Sequence, residues 1–131
     1  MSAKEIVSAL FGKWEAGDSS GFFDAVADDV VWTAIGSTRI SGVSRGKNEY
    51  MKKTYLPLQS VFKGATSCKV KRIVAEGDIV VAEWHGETPL ANGGVYPNDY
   101  CWVVRVKGDK LAEVTGYFDT AAVNALFGGR P

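Results

Sequence analysis

The sequence predicts an α+β fold, with N-terminal helices packed on one face of a largely antiparallel sheet. Three observations carry this. Apolar residues recur at helical spacing as far as Leu58. From Ser67 onward the period changes to two. Turn signals then divide this second half into four consecutive strands, the order of a meander rather than of alternating βαβ units.

Each element has its own signal. Val7, Leu10, Phe11 and Trp14 fall at i, i+3, i+4 and i+7 and form one helical stripe. Gly17 stops that helix, and Asp18 or Ser19 caps the next. Phe22, Phe23 and Val26 give a second short apolar face. DDVVWTA reads as a strand, and IGSTRISGVSRG as a loop with a short strand around residues 39–41. Tyr50, Met51, Thr54, Tyr55 and Leu58 form a third helical stripe, bent or ended by Pro57. SCKVKRIVA, IVVAEWHGE, YPNDYCWVVRV and LAEVTGYFD are the four strands, separated by EGD, LANGG and KGDK. A short helix follows from about Ala121.

The bulk numbers narrow the function. The 131 residues suit a single domain, 1–131, with a core of its own. Fifteen basic residues balance fifteen acidic ones, so no positive field argues for nucleic acid. No apolar run approaches the length of a membrane span. The N-terminal MSAKEIVSALF carries an early acid and an amphipathic pattern, unlike a secretion signal, so a cytoplasmic location is expected. Cys68 and Cys101 lie in strand-like runs and are expected as free, buried thiols. A lone histidine and no CxxC argue against a metal site. Strands apolar on both faces, IVVAEW and CWVVRV, predict a homodimer that covers the outer sheet face.

KWEAGDSSGFFDAVADDVVW, then SGVSRGKNEYMKK, then NDYCWVVRVKGDKLAEVTGYFDTA, together resemble the NTF2-like superfamily, in its SnoaL-like and ketosteroid isomerase-like branch. The resemblance covers nearly the whole chain. It implies a cone, in which a strongly curved mixed sheet wraps around the helices and encloses a pocket. On that cone Gly116 is expected where the strand curls or a ligand approaches. Tyr117 and Phe118 are expected either as packing residues or at the pocket or a dimer face.

The fold hosts many chemistries, so function must come from residues. For a ketosteroid isomerase the resemblance places the oxyanion-hole tyrosine at Leu10 and the base near Ala34; only Asp99 stands near the third group. For an epoxide hydrolase of the limonene type, Gly116 occupies an acid position. Both groups are broken. For SnoaL-like cyclases the resemblance implies a histidine–aspartate pair moving a proton on a carbon acid. His85 with Asp99 or Asp119 is the candidate set, the alternative being that His85 lies on the surface or a dimer face.

Strand alternation divides Asn98, Tyr100, Trp102 and Val104 from Asp99, Cys101, Val103 and Arg105. Val104 and Val106 belong inside, so the first face is expected inward. The expected ligand pocket has Trp14, Trp32, Tyr50 and Tyr55 on the helix side, Asn98, Tyr100 and Trp102 on one strand wall, and Gly116 with Phe118 on the other. Two functions stay open at this point: cofactor-free proton transfer on an apolar or polycyclic substrate (isomerase, cyclase or dehydratase), and non-catalytic binding of such a ligand or of a partner chain. No cofactor and no metal are expected for either.

Overall fold

The computed structural model describes residues 1–128. Six strands form one mixed sheet in the order β2-β1-β6-β5-β4-β3. Its strands are β1 (Val26–Ala34), β2 (Gly42–Arg45), β3 (Ser67–Glu76), β4 (Ile79–Pro89), β5 (Val95–Lys107) and β6 (Lys110–Phe118). Only the β1–β6 pair is parallel. Register shifts between Val26 and Val31, Val70 and Arg72, and Arg105 and Val106 let the sheet bend into a cone.

Helix α1 (Ala3–Glu15) starts at a reciprocal cap. The Ser2 hydroxyl accepts from the Glu5 amide at 3.1 Å, and the Glu5 carboxylate accepts from the Ser2 amide at 2.9 Å. Its stripe buries Val7 and Phe11 completely against Val80, Val104, Leu111 and Val114. At its end the Glu15 carboxylate accepts from the amide of Val70, beside the β3 bulge, at 2.8 Å. That contact ties the helix to an edge strand.

Helix α2 (Ser20–Ala25) is entered through Asp18, whose carboxylate accepts from both the amide and the hydroxyl of Ser20. Phe22 is buried, but Phe23 is 44% exposed and lies under the Lys47 ammonium, so the expected apolar face of this helix has one phenylalanine fewer. Val26 belongs to β1.

Strand β2 lies three residues beyond the stretch expected for it. Side chains capture the backbone there. The Thr38 amide donates to Ser41 Oγ at 2.9 Å, and Ser41 Oγ donates to the Ile35 carbonyl at 2.7 Å. These bonds hold 38–41 as a turn and release the chain to pair only from Gly42.

The third helical stripe forms, but not as one regular helix. α3 (Lys47–Tyr50) runs into a π-helical turn (Met51–Tyr55), and α4 (Leu56–Gln59) follows. The Leu56 amide bonds the Met51 carbonyl, five residues back. In a regular α-helix the Pro57 ring would collide with the carbonyl four residues earlier; the wider turn ahead of it avoids this.

Alternation on β5 runs as expected. Tyr96, Asn98, Val104 and Val106 are buried, with Tyr100 and Trp102 partly so, on the inner face. A second, smaller cluster of Ile40, Tyr96 and Val123 with Phe62, Leu90 and Phe118 seats α5 (Thr120–Leu126).

Candidate ligand-binding cleft

A cleft of about 500 Å³ opens between α1, α2, the π-helical turn and the inner face of the sheet. α1 contributes Trp14, and the entry of α2 contributes Phe22 and Phe23. β1 contributes Trp32; the third helical segment contributes Tyr50, Tyr55 and Leu58. β4 and β5 contribute Trp84, Tyr100 and Trp102, and Phe62 also lines it. All four tryptophans of the chain therefore meet here.

The rings are ordered. Trp84 and Tyr100 stack with centroids 4.1 Å apart and planes at 12°. Trp32 and Tyr50 pair at 4.2 Å and 35°. Trp102 stands edge-on between them, at 86° to Trp84 and 83° to Trp32. Trp14 is fixed by its indole N–H, which donates to the Thr66 carbonyl at 2.9 Å.

The remaining lining polar groups are Ser19, Ser20, Gln59, Thr66 and the tyrosine hydroxyls. Burial, with Tyr55 alongside, pushes the Tyr50 phenol well above its ordinary range; burial, with Tyr96 alongside, does the same for Tyr100. Both stay protonated at physiological pH. No Asp, Glu, His, Lys or Arg is among the described residues that line the cleft.

Six of the expected ligand-site residues come together: Trp14, Trp32, Tyr50, Tyr55, Tyr100 and Trp102. Three do not line the cleft. Asn98 points inward, but its amide is spent on the Asp119 backbone and Tyr96. Gly116 lies opposite Trp102, and a Cβ there would meet the indole Nε1 at 3.3 Å. The missing side chain makes room for Trp102 rather than for a ligand. Phe118 packs in the smaller cluster around Val123.

The expected catalytic set is placed elsewhere. His85 and Asp99 are cross-strand partners on the outer face, with Nδ1 and Oδ1 at 2.9 Å. Glu87 holds the other ring nitrogen at 3.0 Å. The Asp99 side chain is 89% exposed, and its hydrogen bond and that of Glu87 raise the His85 pKa. Asp119 joins neither. Its carboxylate accepts from the Ala121 amide and caps α5, at the edge of a more open hollow between α5 and the β4–β5 turn.

Both cysteines are free thiols. Burial pushes Cys68 up to about 12 and raises Cys101 as well. They face opposite sides of the sheet across β4.

Sequence reading missed Trp84, Phe22 and Phe62 as lining residues. For Trp84 the signal was present: it shares parity with Val80 and Ala82, opposite to His85.

The sequence model of the SnoaL-like domain matches residues 7–114. The chain belongs to the SnoaL-like domain family. Solved structures, among them NTF2-like and ketosteroid isomerase-like ones, share the fold of the chain. An NTF2-like protein from Burkholderia thailandensis superposes with TM-score 0.77 at 18% identity, covering 97% of this chain and 98% of that one. TerC, co-crystallised with polyporic acid, gives 0.74 at 20%, covering 96% and 98%. A protein with ketosteroid isomerase-like fold from Catenulispora acidiphila, in complex with trimethylamine, gives 0.69 at 15%, covering 95% and 92%. No curated protein matches the chain.

Proposed function

We propose that this SnoaL-like protein is a non-catalytic binding module for a small, uncharged aromatic or polycyclic molecule, held in the aromatic cleft. One observation carries the reading: the cleft is walled by ordered aromatic rings, and no Asp, Glu or His is among the described residues that line it. Its volume lies within the usual range of small-molecule sites, about 300–1,000 Å³. Flat ligands suit such walls, since ring pairs gain roughly 0.5–1.5 kcal/mol beyond area burial. A charged ligand group would lose its hydration without a counter-ion in exchange. TerC, crystallised with polyporic acid, is a relative by fold in which a small molecule accompanies the protein.

Proton-transfer catalysis, the other reading, needs a base within reach of the substrate. His85, Asp99 and Glu87 lie on the opposite sheet face, and Tyr50 and Tyr100 are poor bases with their pKa values raised. The test is direct. Addition of naphthalene should shift the four indole N–H resonances in NMR spectra, with Trp14 and Trp102 included. Unmoved indole signals at ligand saturation of the buffer would defeat the proposal.

The outer face supports a homodimer. Val81, Cys101 and Val103 form a half-buried apolar strip, flanked by Val74 and Tyr117 at 52% and 48% exposure. Sedimentation on the order of tens of micromolar should return a dimer, and a monomer there would exclude it.

A further inference from the structure

We infer that the cleft reads the hydrogen-bonding sense of its ligand through Tyr100, and that it selects aromatic molecules bearing a hydrogen-bond donor, such as a phenolic hydroxyl. Tyr96 and Asn98 are the positioning residues. The inference rests on the cleft being the binding site.

The chain of reasoning starts at Asn98, which is 4% exposed. The Asp119 amide donates to its Oδ1 at 2.9 Å, and its Nδ2 donates to the Asp119 carbonyl at 3.1 Å. A backbone N–H only donates and a carbonyl only accepts, so these two bonds fix which end of the amide is which. The second Nδ2 hydrogen then meets Tyr96 Oη at 2.6 Å. Tyr96 is the acceptor in that bond.

Tyr100 Oη lies 3.3 Å from the same Tyr96 oxygen, in the geometry of a donor. A phenol has one proton. That of Tyr100 is directed to Tyr96, which is not among the residues that line the cleft, so toward the cleft its oxygen keeps only lone pairs. Tyr100 is itself part of the cleft wall, held flat against Trp84. Burial keeps its hydroxyl un-ionised, so it does not become an anion that would bind donors indiscriminately.

A ligand hydroxyl or N–H can complete this oxygen. A ligand ether or carbonyl oxygen would face it acceptor to acceptor, with water excluded, and desolvation would be uncompensated. Discrimination of this kind comes from one polar group in an otherwise apolar wall, the arrangement typical of small-molecule sites.

The experiment is equilibrium dialysis of three probes, naphthalene, 2-naphthol and 2-methoxynaphthalene, against the wild type, Tyr96→Phe and Tyr100→Phe. The wild type should favour 2-naphthol over 2-methoxynaphthalene by about tenfold, one hydrogen bond's worth of affinity. Tyr96→Phe frees the Tyr100 proton, and 2-methoxynaphthalene should then gain until the ratio approaches one. Tyr100→Phe should also level the two, because no oxygen remains there to accept from 2-naphthol. A loss of folding would weaken all three probes together and could not reshape their ratio. Equal binding of the two oxygenated probes by the wild type, or an unchanged ratio in Tyr96→Phe, overturns the inference alone. Failure of all three probes to bind overturns the cleft reading, and this inference with it.

Discussion

Trp84 on β4 and Tyr100 on β5 are direct cross-strand partners, and their rings lie stacked at 4.1 Å. The register of two strands thus sets the flat wall of the cleft. Trp84 is also in the main core, touching Phe11, Trp14 and Trp102. Trp84→Ala should therefore cost about 3–5 kcal/mol in denaturant unfolding, as expected for removing a large core aromatic. Tyr100→Phe keeps the stack and loses only the bond to Tyr96, so its cost should be about 1 kcal/mol or less. Similar costs for the two would show that the stack is not the structural element.

Two glycines separate in the same way. A Cβ on Gly86 would stand 2.8 Å from the Trp84 ring and 3.3 Å from the Ser67 carbonyl oxygen. Trp84 is clamped by Tyr100 and cannot retreat, so Gly86→Ala should cost about 1–3 kcal/mol through overpacking. At Gly116 the contact is 3.3 Å, against the edge of Trp102, which borders open cleft. Gly116→Ala should leave stability within about 1 kcal/mol, since alanine also costs less backbone entropy. It should shift the Trp102 indole N–H signal and weaken ligand binding. A Gly116 variant with an unmoved Trp102 would contradict this placement.

Gly116 also marks what could be read in the sequence. The change of period at Ser67, the succession of the last four strands and the inward face of β5 were legible, because alternation and turn residues are local signals. What a glycine makes room for was not, because this depends on which residue lies across the neighbouring strand. The same limit applied to Asn98. Its parity predicted an inward side chain, but only the return of the chain at Asp119 shows where its amide is spent. The pairing of His85 with Asp99 was legible as chemistry; its placement outside the cone follows from the parity of Val80, Ala82 and Trp84.

The exposed histidine gives a pH prediction. The hydrogen bonds that the His85 ring makes to the carboxylates of Asp99 and then Glu87 raise its pKa above the ordinary value of 6.5. The protonated form is thus favoured in the folded state. Its small contribution to stability is present in full below the unfolded pKa and is lost as pH rises through the raised folded value. As the only histidine, it gives one NMR titration curve. Its midpoint should lie above 6.5, and Asp99→Asn should bring it down. A wild-type midpoint below 6.5, or no response to Asp99→Asn, would contradict the pairing.

The tyrosines predict the opposite in the cleft. Tyr50 and Tyr100 stay protonated across the physiological range, and no other lining group that titrates there is present among the described residues. Naphthalene affinity should then be constant between about pH 5 and about pH 8, a span wide enough to titrate any ordinary histidine. A sigmoidal change in that span would reveal an ionisable group at the site.

The most direct test of an uncharged aromatic cleft is a comparison of 2-naphthol with 2-naphthoate by equilibrium dialysis at neutral pH. The two share a ring system and differ in bearing a hydroxyl or a carboxylate. Among the described residues the cleft offers stacked rings and phenols but no cation to meet the carboxylate. The neutral probe should bind at least about tenfold more tightly, the anion losing hydration it cannot replace. Equal or tighter binding of 2-naphthoate would contradict the account.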